Sequence, residues 1–129
     1  MKKYSLLAVM IAFFSCSKDN DASDSALAGK TFDHLLFETQ QQCLAAQTNP
    51  DFFINCHEEI EFTGDDSAVI MLQDILYNVD YTLDGNKIIV SFPGDPSATL
   101  TFEKTNNASL KLLGDGTVWN KRIGNSIWH

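Results

Sequence analysis

Thiols, imidazoles and carboxylates are the side chains of this chain with chemistry to offer, and their spacing decides how much of it is realised. Cys56 is followed at once by His57, Glu58 and Glu59, donor types that a metal or redox site would use. No Cys-x-x-Cys spacing and no second clustered histidine accompany them, so the run lacks the ligand set of a zinc site. Asp65, Asp66, Asp84, Asp95 and Asp115 each stand beside Gly or Ser, where a short carboxylate bonds the local backbone and serves a turn. Calcium held by Asp84-Gly85-Asn86 would lack the dense oxygen set of an EF-hand loop. His34 and His57 join no Ser or Cys nucleophile arrangement. The expectation is a non-enzymatic protein with no cofactor, no metal and no catalytic residue.

Apolar surface is then the remaining means of function. Phe32, Phe62, Tyr77, Tyr81, Phe92 and Phe102 fall on the predicted inward positions of strands, and each ring presents roughly 150–250 Å² of contact surface. Phe32, Phe62, Tyr77, Tyr81 and Phe102 are the candidate lining of an apolar ligand pocket. Alternatively, the same rings fill the interior outright. Trp119 and Trp128 read as core and terminal packing. A second candidate surface is Val69, Met71 and Ile89, on two segments that are apolar on both faces: Ala68-Val69-Ile70-Met71-Leu72 and Ile88-Ile89-Val90. Such a strand needs a cover on its outer side. The helix expected over 40–47 would supply it, or a partner protein would dock there.

These positions need a frame, and the frame begins with an address. Lys2 and Lys3 precede nine apolar residues, Leu6 to Phe14, and then Ser15 and Cys16. Nine residues are too few to span a bilayer as a helix. The segment resembles a bacterial lipoprotein signal, which implies removal of 1–15 and acylation of Cys16. Residues 16–26 follow as a polar, acidic tether. Its Ser17-Lys18-Asp19-Asn20-Asp21 start is read either as a plain solvated linker or as similar to the export signals of surface lipoproteins. The resemblance implies an outer-membrane lipoprotein, facing the periplasm or exposed at the surface, whose membrane partner is engaged through the N-terminal lipid.

Loss of Lys2 and Lys3 from the 9 basic residues leaves 7 against 17 acids, a net charge of about −10. That balance, with no basic cluster beyond Lys121-Arg122, excludes nucleic acid as a partner. Removing Cys16 from the thiol count leaves an even pair, Cys43 and Cys56. In an exported chain these are expected to form a disulfide, worth roughly 3 kcal/mol through the loop it closes.

The elements follow from periodicity. A first strand is expected over 29–38 and a short helix over 40–47, ended by Asn49-Pro50. Seven further strands are expected over 58–63, 68–73, 77–83, 87–92, 98–104, 109–113 and 117–122, separated by Gly, Asn, Asp and Pro. In Tyr77-Asn78-Val79-Asp80-Tyr81-Thr82-Leu83 the alternation is unbroken, so one face is buried. The predicted fold is all-β: a small eight-stranded antiparallel meander barrel with one short helical insert, forming a single domain over 27–129. Closure removes the sheet edges that would otherwise pair with other chains.

Leu27-Ala28-Gly29-Lys30-Thr31-Phe32, Glu59-Ile60-Glu61-Phe62-Thr63-Gly64-Asp65, Tyr81-Thr82-Leu83-Asp84-Gly85-Asn86-Lys87-Ile88 and Gly116-Thr117-Val118-Trp119 together resemble the lipocalin-like (calycin-type) bacterial lipoproteins. Phe32 stands one residue later than the tryptophan of the lipocalin Gly-x-Trp. The resemblance implies an eight-stranded calyx and carriage of a small apolar molecule. The alternative is a filled barrel that acts through its surface on another protein, such as a basic enzyme met by the acidic face of Glu59, Glu61 and Asp80.

Overall fold

The computed structural model describes residues 26–128. The expected leader 1–15, Cys16 and the expected tether up to residue 25 lie outside the described residues, as does His129. No helix among the described residues is long and apolar enough to cross a membrane.

Alternating apolar and polar residues produce eight strands: β1 (Thr31–Leu35), β2 (His57–Phe62), β3 (Ser67–Leu72), β4 (Ile75–Asp84), β5 (Lys87–Phe92), β6 (Asp95–Asn106), β7 (Ser109–Leu112) and β8 (Val118–Lys121). Each pairs antiparallel with the next, and β8 returns to β1, so the sheet is a closed barrel in sequence order. A single helix, α1 (Gln40–Ala46), interrupts the β1–β2 connection. Thr39 caps it: its side chain accepts from the Gln42 backbone while the Gln42 side chain accepts from the Thr39 backbone N–H, the reciprocal arrangement of a capping box.

Tight turns hold the meander together. Gly85 (φ 60°) and Gly94 (φ 94°) occupy the left-handed region, where a side chain would be strained. The expected break over Pro93-Gly94-Asp95-Pro96 is shorter than predicted, because β6 already begins at Asp95. A register shift at Ser91/Phe92 lets Phe92 pair with Asp95, and proline is tolerated beside such an irregularity. β1 is likewise shorter than the expected 29–38. Leu36 still bonds the Cys56 carbonyl at 2.9 Å, but the chain beyond it turns into α1.

Because consecutive strands are antiparallel, their connections alternate between the two ends of the barrel. One end carries the turns at 64–66, 85–86 and 107–108. Leu27 plugs it, 5% exposed, held by Gly29 N–H donating to the Phe62 carbonyl at 2.7 Å and Lys30 N–H to the Leu27 carbonyl at 2.9 Å. The middle is packed with rings. Phe62 lies edge-on to both Phe32 (6.0 Å) and Tyr81 (4.9 Å), and Phe102 edge-on to Trp119 (5.2 Å); edge-to-face contact is the favourable arrangement for such pairs.

Candidate functional site

The opposite end carries the 36–56 arm and the turns at 73–74, 93–94 and 113–117. Here the inward-facing apolar side chains lose their cover. Leu72, Tyr77, Phe92 and Leu100 are only partly buried while packing against the core. Tyr77 and Phe92 meet edge to face at 5.4 Å, so their rings form a floor rather than a plug. Beside them opens a cleft of about 830 Å³ lined by Leu72, Tyr77, Phe92, Pro93, Gly94, Asp95 and Ala98, which continues over the rim to the outward-facing Leu76 and Asn78 of β4. Its wall is mostly apolar with two polar groups, the composition of a small-molecule site. A smaller cavity of about 100 Å³ lies at the plugged end, against Leu27, Phe32 and Leu110.

The structure separates the expected pocket residues. Phe32, Phe62, Tyr81 and Phe102 are buried in the packed interior, and Phe62 and Phe102 are fully inaccessible. Tyr81 uses its hydroxyl to donate to the Gly64 carbonyl at 2.7 Å, and burial together with Asp65 and Asp66 raises its pKa. Of that set, Tyr77 alone lines the open cleft, where Phe92 joins it.

Val69 and Met71 lie on the outer face of β3, opposite Asn78 and Leu76 of β4. Ile89 is opposite Thr82, so β4 polar residues separate it from that pair. Helix α1 buries Cys43 and no other residue, a correction to its expected role as the cover for these side chains. The arm reaches this face through Asn55, whose Nδ2 lies 3.3 Å from Met71 Sδ and donates to the Gln73 carbonyl at 2.7 Å. Gln73 sits at φ 56° in the β3–β4 turn, and its N–H donates to Glu58 Oε1 at 3.2 Å. Arm and cleft rim are thereby joined.

Cys43 and Cys56 form a disulfide with Cα atoms 5.6 Å apart. Gln47 reinforces the arm, donating from Nε2 to the Ile54 carbonyl at 2.7 Å and accepting the Ile54 N–H at 2.8 Å. Of the five expected turn carboxylates, two bond their own turns. Asp95 accepts from Ser97 and Asp115 from Thr117, through backbone and hydroxyl alike, and these bonds lower both pKa values.

One cluster joins His57 and Glu59, which follow Cys56 in the sequence, to Asp33 and Arg122, which the sequence did not connect with them. On the outer face of β1 and β2, Arg122 donates to both Asp33 and Glu59, and His57 Nε2 lies 3.1 Å from Glu59 Oε2. Asp33 is 4% exposed. Burial works to raise the Glu59 pKa, but hydrogen bonds from Arg122 and His57 outweigh it and hold the carboxyl below its ordinary value. The hydrogen bond to Asp33, then that to Glu59, raises Arg122 against the opposing effect of burial. Asp33, His57 and Glu59 offer ligand atoms within 4.8 Å of one another. The guanidinium already occupies both carboxylates, so the cluster is built as an ion-pair clamp. It fastens β8 to β1 and β2 at the seam, which pairs through Phe32↔Lys121 and Asp33↔Asn120.

No protein-family model, no curated protein and no solved structure matches this chain. Its functional reading therefore stands on the barrel and on the cleft at its mouth.

Proposed function

We propose that this chain is a non-enzymatic binding protein of the lipocalin-like lipoprotein type, anchored in the outer membrane through a lipid on Cys16, which takes an apolar group at the open mouth of its barrel. The observation that carries the reading is the cleft floored by Tyr77 and Phe92, where inward-facing rings of a closed barrel stay partly exposed. Burying such surface under a ligand is favourable by about 25 cal/mol per Å². Because the middle of the barrel is packed with Phe62, Tyr81, Phe102 and Trp119, the occupant rests in the mouth and does not thread the interior. The described domain begins at the plugged end, at Ala26 and Leu27.

Comparing native and denatured masses of the protein isolated from its own cells tests this reading. A defined extra mass, lost on denaturation and absent from a Leu72→Asp variant that stays folded, is the expected result. Retention of the same mass by that variant overturns the assignment to the mouth.

A second reading has its own support: Leu44, Phe52 and Phe53 on the disulfide-pinned arm are 62%, 61% and 70% exposed. In that reading the arm docks on another protein and the barrel is a scaffold. Alanine at Phe52 and Phe53 would then abolish complex formation in crosslinking while leaving any mouth-bound mass unchanged.

A further inference from the structure

The charge around the mouth has one dominant sign. Every connection at this end carries a carboxylate: Asp51 in the arm, Asp74 in the β3–β4 turn, Asp95 at the β5–β6 turn and Asp115 between β7 and β8. None of these connections contains a Lys or Arg. Asp95 is itself part of the cleft wall, and Asp74 stands between the lining residues Leu72 and Leu76. By backbone position Lys30, Lys87, Lys104, Lys121 and Arg122 lie at strand termini on the plugged side; the Arg122 guanidinium is taken up by Asp33 and Glu59 on the outer face of β1 and β2, and Lys87 lines a separate surface cavity with Leu113 and Gly114. Lys111, on the outer face of β7 beside Gly116, and His34 lie near Asp115, on the far side of the opening from the cleft.

Resting on the mouth reading above, we infer that the occupant of the cleft is an organic cation with an apolar body: its apolar part lies on Tyr77 and Phe92 and its positive charge faces Asp74 and Asp95. Three features of the site select for that chemistry. The floor is aromatic, and a ring face attracts a neighbouring cation as well as hydrocarbon. The Asp95 carboxylate stays ionised, because its hydrogen bonds from Ser97 favour the charged form. An anion entering the same opening would meet like charges on its approach, which discriminates against it by repulsion.

The experiment is equilibrium dialysis of the full-length protein against three probes that share one ring system and differ in charge: 1-naphthylmethylammonium, 1-naphthalenemethanol and 1-naphthylacetate. At low ionic strength the cation is expected to bind about fivefold tighter than the neutral alcohol, and the anion more weakly still. The preference should fall below about twofold in 1 M salt, where the Debye length is about 3 Å. Asp74→Asn with Asp95→Asn keeps the turn acceptors and should make cation and alcohol equal. Asp65→Asn with Asp66→Asn, at the plugged end, should leave the preference intact. Equal binding of the three probes by the unaltered protein overturns the cation inference while the mouth reading stands. If none binds, the mouth reading falls and this inference with it.

Discussion

Arg122 Nε donates to Asp33 Oδ2 at 2.9 Å, joining residues 89 positions apart across the seam where the last strand meets the first. The same guanidinium reaches Glu59 on β2, so one side chain ties together three segments of the barrel. The β1–β8 seam is the one pairing in the barrel whose strands are not consecutive in the chain. Short turns make the pairings from β2 to β8 local, and the disulfide-bonded arm bridges β1 to β2, whereas the seam brings together opposite ends of the domain and bears the largest loop-closure cost.

Arg122→Ala is expected to destabilise the domain by about 3 kcal/mol, since it leaves the Asp33 carboxylate buried with its principal partner gone. Arg122→Lys should recover only part of that loss, because an ammonium cannot reproduce the forked contact. Urea unfolding monitored by tryptophan fluorescence, from buried Trp119 and from Trp128, measures both. A loss below about 0.5 kcal/mol for Arg122→Ala would show that the strand ladder alone closes the seam.

The pH profile of stability should carry the signature of Glu59. Its folded pKa lies below the ordinary value, so between the two the unfolded chain binds more protons than the folded one. Stability from this group is fully present above the ordinary glutamate pKa and disappears as the pH falls through the lowered folded value. Glu59→Gln should be less stable at neutral pH and should show a shallower acid decline than the unaltered protein. Parallel acid limbs for the two proteins would assign the decline to other carboxylates.

Cys43→Ser should cost roughly 3 kcal/mol in oxidising buffer and nothing further under strong reductant. The readout is paired thermal melts with and without reductant. The arm fixed by this disulfide also holds Asn55 against Gln73 at 2.7 Å, so hydrogen exchange at Gln73 should speed up in the same variant.

The sequence exposes the strands because period-two alternation and turn formers are local signals. Tyr77 to Leu83 shows its buried face in its own residue types, and β4 extends beyond that run by only a few residues, to Ile75 and Asp84. The β6 start at Asp95 is less legible, because a bulge that accommodates Pro96 depends on the register of β5 and leaves no pattern in β6. Alternation also assigns Phe62, Tyr81 and Phe102 inward, but it carries no information about depth along the barrel axis. Leu27 folding under one end and the arm departing from the other determine which inward ring is plug and which is floor. That is why Tyr77 lines the cleft and Phe62 does not. The Asp33–Arg122 clamp gave no local signal, since each residue alone reads as an ordinary outward charge.

Cys16→Ala should move the protein from the membrane to the soluble fraction, if the lipid on Cys16 is its anchor. Fractionation of cells expressing both forms measures it. Continued sedimentation with membranes would contradict the lipoprotein reading while leaving the barrel and its mouth untouched.

The last contrast separates packing from binding within one set of rings. Phe62 is fully inaccessible and lies edge-on to both Phe32 and Tyr81, so Phe62→Ala opens a cavity with no route to collapse and should cost about 3–5 kcal/mol. Phe92 packs on Tyr77 at the rim with one side open to the cleft. Water can fill the space that Phe92→Ala leaves, and the expected cost is about 1 kcal/mol. Binding should rank the two variants in the opposite order. Removing Phe92 takes away half of the cleft floor and should weaken naphthyl-probe binding severalfold, whereas a folded Phe62 variant such as Phe62→Leu should bind almost as well as the unaltered protein. If the Phe92 variant lost as much stability as the Phe62 variant and bound the probes unchanged, its ring would be core, and the mouth would be closed in solution.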